Sequence, residues 1–214
     1  MAVWGPGKIK VEFMQPPPPW AYKYLGLFQQ RDAQKEEFGC TLEPVNYFPF
    51  GTGMVCQKQV YSAYFAALDQ QSLSIKGRQP GSLASADDVQ LVYTAVKMGL
   101  SFGVAPSLQL THLIPPKRTT IAYVKKLFYG CYSDADMALV EVFPEKRAGL
   151  PLPNATQILA KIAKISFCRS LLLRTYQVQF DLAAYLGKTI SRYKVHGLQP
   201  PFWLLQFIKM LQLQ

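Results

Sequence analysis

The sequence predicts an α/β fold: a sheet-and-helix body over residues 1–144, followed by a basic, mainly helical extension over 145–214. Three observations predict it. The 214 residues are half apolar and 13% aromatic, enough to bury a core in one domain with an appendage. Along the first part, short alternating apolar runs and longer helix-period runs follow each other as strand, loop, helix, strand, strand, helix, the order of an α/β unit. Charge then changes sharply: residues 145–214 hold ten Lys or Arg against two acids, leaving +8 of the formal +10 in the last third.

Each element has a local reason. Val3 to Phe13 alternates at Ile9, Val11 and Phe13 after Gly5-Pro6-Gly7, predicting a turn and then a strand. Pro16 to Pro19 forbids both helix and sheet interior. Trp20, Tyr22 and Tyr24 suit a short helix, and the polar run Arg31 to Glu37 a surface loop. Val45 to Phe50 reads as a strand entering the glycine turn Gly51-Thr52-Gly53, with a helix from Gln57 to Leu68 after it. Residues 69–86 form a Gly-, Ser- and Gln-rich loop.

Ser85 is placed to cap a helix starting at Asp87, with Val89, Val92, Ala95 and Val96 as its apolar face and Gly99 as its stop. Pro106 divides Ser101 to Ala105 from Leu108 to Leu113, predicting two short strands. A helix over Thr119 to Gly130 follows. Ala155 to Ser191 is largely helical, with Ile158, Ile162 and Ile165 on one stripe and Lys161 and Lys164 off it. Pro200-Pro201 opens a last short helix through Leu211.

Several function classes lose support. The start lacks the basic-then-apolar layout of a secretory signal, and no apolar run reaches the roughly 18 residues of a membrane span. Cys40, Cys56, Cys131 and Cys168 make no C-x-x-C pair, so neither a zinc site nor a redox motif is indicated; they read as small buried hydrophobes. The basic extension points to an anionic partner: lipid, nucleic acid or a diphosphate. No helix-turn-helix, zinc finger or RNP-type motif supports nucleic acid.

Two places can carry chemistry. Glycines in Gly51-Thr52-Gly53-Met54 permit positive φ and close approach of a ligand to the backbone. Asp87-Asp88 opens a helix at the mouth of a loop, where the helix dipole favours an ionised carboxylate able to take a hydroxyl proton. Read alone, each has an ordinary meaning, a tight turn and a helix start. His112 ends a strand among apolar neighbours, and His196 lies in a glycine-adjacent basic loop with no evident partner. Asp134-Ala135-Asp136 spells the D-x-D of metal-diphosphate sites, but at a helix end, where a solvated cap is the plainer reading.

In order, these pieces resemble glycosyltransferase family 2, the inverting enzymes of GT-A fold. Gly5-Pro6-Gly7-Lys8-Ile9 with Pro16 to Trp20 is similar to the segment after that family's metal-binding aspartates. Phe48-Pro49-Phe50-Gly51-Thr52-Gly53-Met54 is similar to its "P-x-G-(A/T)-(N/G)-M" turn. The loop Lys76 to Leu83 with Ser85-Ala86-Asp87-Asp88 is similar to the approach to its "G-E-D" motif. Leu110-Thr111-His112-Leu113-Ile114-Pro115 with Arg118 is similar to its "L-T-H-L-I-P-x-x-R" stretch. The resemblance covers residues 3–130, and the basic extension matches less closely.

The resemblance implies a glycosyltransferase that moves a sugar from a nucleotide-diphosphate donor to an acceptor hydroxyl on a glycan or lipid-linked acceptor. It implies Asp88 as general base, Asp87 as its helper, the Gly51 to Met54 turn as acceptor site and His112 as a ligand to Mg²⁺ or Mn²⁺. Asp87 stands where the family more often has Glu, and Ala86 where it has Gly. The family's nucleotide-binding half with its D-x-D is not among these residues, so the expectation is an incomplete GT-A-like domain, inactive alone: a truncated, split or degenerate gene product, or one half of an enzyme whose other half is a separate chain. The expected location is the cytoplasm, at the inner face of the cell membrane. The rival expectation is a non-catalytic membrane-surface or partner-binding protein that uses the basic helices.

Overall fold

The computed structural model describes residues 2–75, 77, 83, 85–170 and 175–213, and their side chains except at 168–170 and 175. It is a mixed α/β chain with one open, mixed sheet. Its contacts divide it into two compact units. The first comprises Met1–Ser74 and Asp88–Thr120, the second Ile75–Asp87 and Ile121–Gln214.

The first unit is built on two long parallel strands, β1 (Val3–Phe13) and β5 (Phe102–Ile114). Short antiparallel strands flank them. β2 (Arg31–Asp32) and β4 (Val55–Cys56) pair with β1, and β3 (Glu37–Gly39) pairs with β5. Strand β1 runs straight through Gly5-Pro6-Gly7, where the sequence predicted a turn. Strand β5 likewise continues past Pro106, where two strands were expected.

One irregularity explains both. The register steps from Pro6↔Ala105 to Lys8↔Gln109, so Gly7 alone faces the stretch Pro106 to Leu108. A Cβ at Gly7 would stand 2.5 Å from the Ala105 carbonyl carbon and 2.6 Å from the Pro106 nitrogen. Glycine is therefore required there, and proline, which cannot donate to a ladder, falls where the ladder is already broken. Arg31 to Glu37 is not wholly loop, since both its ends join the sheet. Val45 to Phe50 is not a strand; it runs as turns and irregular chain into the glycine turn.

Helix α1 (Lys58–Asp69) lies close to its expected span. Helix α2 (Asp87–Lys97) starts as predicted, but its buried residues are Gln90, Leu91, Val92, Thr94 and Ala95, while Val89 and Val96 are only half-buried. The Ser85 hydroxyl donates to Asp87 Oδ1 at 3.2 Å. Gly99 closes the helix at φ +72°, a conformation costly to residues with a Cβ.

The second unit is helical beyond Thr120: α3 (Ile121–Ser133), α4 (Ala135–Val142), α5 (Ala155–Ser170), α6 (Thr175–Val195) and α7 (Phe202–Met210). Helix α4 has no counterpart among the sequence expectations. The core gathers Tyr129, Ile158, Leu186, Ile190, Leu204 and Ile208, with Ile162 and Ile165 packed on it, so the isoleucine stripe of α5 faces inward as its spacing indicated. Gly187 lets α6 approach the Tyr129 carbonyl of α3, because a Cβ there would overlap that oxygen. No helix among the described residues is long and apolar enough to cross a membrane.

Candidate functional site

The glycine turn and the helix α2 carboxylate meet, although 37 residues separate them. Arg31 sets up this meeting from strand β2. Its Nη2 donates to the Phe48 carbonyl at 2.6 Å, and its guanidinium carbon lies 4.1 Å from the centre of the Phe50 ring. The Phe48 ring packs edge-on to Tyr93 of α2 and tilts against Phe102 of β5. The segment before the turn is thus held by a cation over one ring, a charged hydrogen bond to the backbone and an aromatic cluster. Burial lowers the Arg31 pKa from its ordinary value, and its Nη1 is buried without a hydrogen-bond partner.

The turn then lies directly on Asp88. The Gly51 N–H donates to Asp88 Oδ2 at 3.2 Å, and the Val89 N–H donates to Asp88 Oδ1 at 2.9 Å. A Cβ at Gly51 would fall 2.7 Å from Asp88 Oδ2, so only glycine allows this approach. Gly53 adopts φ +72°, and a Cβ there would meet Leu110 Cδ2 at 2.5 Å and Pro6 Cγ at 3.0 Å. Two contacts therefore fix the two glycines. Gly51 and Gly53 are exposed, Thr52 and Met54 half-buried, so the turn presents backbone to solvent beside a carboxylate.

His112 shares this side of the sheet. Arg31, Ile9 and Leu110 are register partners across β2, β1 and β5, which puts their side chains on one face; His112, two residues beyond Leu110, is on it too. Its Nδ1 lies 2.9 Å from the Phe28 carbonyl oxygen. A carbonyl can only accept, so the neutral ring carries its proton on Nδ1 and keeps the Nε2 lone pair, the tautomer of a metal-ligating histidine. Among the described residues, however, no three His, Cys, Asp or Glu side chains are grouped to hold a metal ion. His112 offers one ligand atom and not a complete site.

Asp87 turns away from this arrangement. Its Oδ1 accepts from Ser85, and its Oδ2 would stand 2.8 Å from a Cβ at Gly77. The adjacent aspartates thus serve different loops. Of the approach loop Lys76 to Leu83, residues 76 and 78–82 lie outside the described residues, as do Arg174 and the side chains of Cys168 and Arg169.

The D-x-D pair has another use. Asp134 stands at the N-cap position of α4 without a side-chain capping bond, and Asp136 is in its first turn. Lys194 Nζ is 2.5 Å from Asp134 Oδ1, and Arg192 Nε is 2.6 Å from Asp136 Oδ2. The Arg192 N–H does not point along its contact, so that attraction is coulombic without a well-formed hydrogen bond. Both aspartate side chains are about one-seventh exposed, at 13% and 14%, so this is no solvated cap. His196, expected without a partner, has Nε2 2.8 Å from the Leu150 carbonyl oxygen. Cys40 is exposed, and Cys56 and Cys131 are half-buried, so these three are not the buried hydrophobes expected; none is in a disulfide.

The sequence reading missed Arg31. It lies in a polar run that resembles any surface loop, and its partners are a carbonyl and a ring 17 and 19 residues further on. A cleft of about 470 Å³ borders it, lined also by Lys8, Lys10, Asp32, Gln109 and Thr111. Compared with protein-family models, curated proteins and solved structures, the chain matches none.

Proposed function

We propose that these residues form the acceptor side of an inverting glycosyltransferase of GT-A type, with Asp88 as general base. The observation that supports the reading is the contact of the Gly51 N–H with the Asp88 carboxylate. It joins the two segments whose resemblance to family 2 glycosyltransferases was noted separately in the sequence, and it leaves both reachable from solvent.

In this reading the acceptor lies along Gly51 to Met54 with one hydroxyl directed at Asp88. Its oxygen attacks the anomeric carbon of the donor sugar and gives its proton to the carboxylate as the new glycosidic bond forms. The bond from that carbon to the diphosphate breaks, its electron pair leaving with the nucleotide, and attack from the opposite face inverts the configuration. The Gly51 and Val89 N–H groups hold the carboxylate in place before and after proton transfer. Asp87, held by the Ser85 hydroxyl, is the helper beside it. A divalent cation supplies charge neutralisation of the leaving diphosphate when bound. His112 is the ligand assigned to this chain, and the donor site and remaining ligands are assigned to polypeptide outside these 214 residues.

The test has two readings. In ¹⁵N spectra of the chain, a panel of glycosides is expected to shift the Gly51, Thr52 and Gly53 amides, and Asp88→Asn to weaken that response. Reconstituted with a donor-binding half, the Asp88→Asn variant is expected to transfer sugar at least about a hundredfold more slowly. Absence of any saccharide response at the turn, or full transfer by Asp88→Asn, would sink the proposal.

A further inference from the structure

We infer that helix α5 is a docking surface for an anionic lipid bilayer, independent of the glycosyl-transfer reading. Ile158, Ile162 and Ile165 turn one side of the helix into the core of the second unit. The opposite side stays open. Leu159 is 53% exposed and Phe167 72% exposed, with Ala163 exposed between them at helical spacing. Large apolar side chains in line on a solvent face are what a partner covers.

Charge identifies the partner. Lys161 and Lys164 are both exposed and one turn apart: Lys164 is beside Phe167 at one edge of the stripe, and Lys161 is on the flank between Lys164 and the core-facing isoleucines. No Asp or Glu occurs anywhere in Ala155 to Ser170. Elsewhere in the unit, Arg192 and Lys194 are matched by Asp136 and Asp134, whereas no described acid is paired with Lys161 or Lys164. An apolar stripe edged by Lys164 on an acid-free helix fits the boundary between acyl chains and negative headgroups: Leu159 and Phe167 enter the apolar layer while the Lys164 stem reaches up to the headgroups and Lys161 adds positive charge one turn away. A protein groove would supply acids at fixed points, and nucleic acid would leave Phe167 without an apolar environment.

The test is co-sedimentation of the full chain with vesicles of phosphatidylcholine and phosphatidylglycerol in equal parts, against phosphatidylcholine alone, at about 0.1 M salt. The chain is expected to sediment with the mixed vesicles only. Lys161→Gln/Lys164→Gln should weaken binding, by roughly fivefold from Lys164 and by less from Lys161. Leu159→Ser/Phe167→Ser should weaken it at least as much. All four side chains are on the surface, so circular dichroism is expected to be unchanged, and Lys8→Gln/Lys10→Gln, at exposed or half-exposed sites of the first unit, should bind like the parent. Equal sedimentation with phosphatidylcholine, no sedimentation, or indifference to either α5 variant overturns the inference. So does a dimer in solution that Leu159→Ser/Phe167→Ser dissociates, because the stripe is then covered by a second copy.

Discussion

Asp88 at the start of α2 and Asp136 in the first turn of α4 are carboxylates in the same kind of position, where the helix dipole favours negative charge. Their company differs. Asp88 accepts from the Gly51 N–H of an exposed glycine turn and from the Val89 N–H of its own helix, whereas Asp136 faces Arg192 with both side chains largely buried. A guanidinium offsets a full charge and fixes the carboxylate as part of the packing. Two amides orient a carboxylate. The first arrangement ties α4 to α6, and the second joins α2 to the glycine turn. A D-x-D spelling and a D-D spelling carry no such distinction; their surroundings do.

This contrast can be broken or sharpened by substitution. The largest stability effect is expected at the ion pair. Asp136→Ala leaves Arg192 buried without its counter-charge and should cost about 3 kcal/mol in urea unfolding. The double variant Asp136→Leu/Arg192→Met should recover most of it. Asp88→Asn, by contrast, should change stability by less than about 1 kcal/mol. If the two single variants destabilise equally, the distinction between a carboxylate fixed by a buried ion pair and one held at the glycine turn fails.

Gly51→Ala comes next. The added methyl overlaps Asp88 Oδ2, so the turn or the carboxylate must shift, at about 2 kcal/mol. The Val89 amide resonance should move with it, since its acceptor is displaced. An unmoved Val89 amide would show that Asp88 and the turn are not mechanically joined.

Arg31 comes last among the destabilising substitutions. Arg31→Lys loses the planar cation over Phe50 and the directed bond to Phe48, at about 1 kcal/mol. Its informative readout is amide exchange at Gly51 and Gly53, expected to quicken while amides of α6 stay unchanged. Equal quickening in both places would mean general loosening in place of a local clamp.

Much of the secondary structure was legible because it depends on near neighbours. The α5 isoleucine stripe, the start of α2 at Asp87 and the stop at Gly99 follow from spacing and dihedral preference. The failures have a common cause in long-range pairing. Pro106 ends a strand by local rules, yet β5 continues because Gly7 of β1 supplies a matching irregularity. Arg31 and Glu37 joined edge strands only because β1 and β5 offered open ladders. Gln90 reads as solvent-facing and is fully buried.

The sequence by itself determined that an acid pair, a two-glycine turn and a strand histidine exist in a fixed order, since residue types and spacing are enough to state that. It also determined the basic character of the last seventy residues. The tertiary structure alone decided which aspartate touches the turn, that Arg31 clamps it, and that the D-x-D is consumed by Arg192 and Lys194. These are facts of which side chains converge through space, and convergence across 37 or 60 residues is set by packing, which local pattern does not encode.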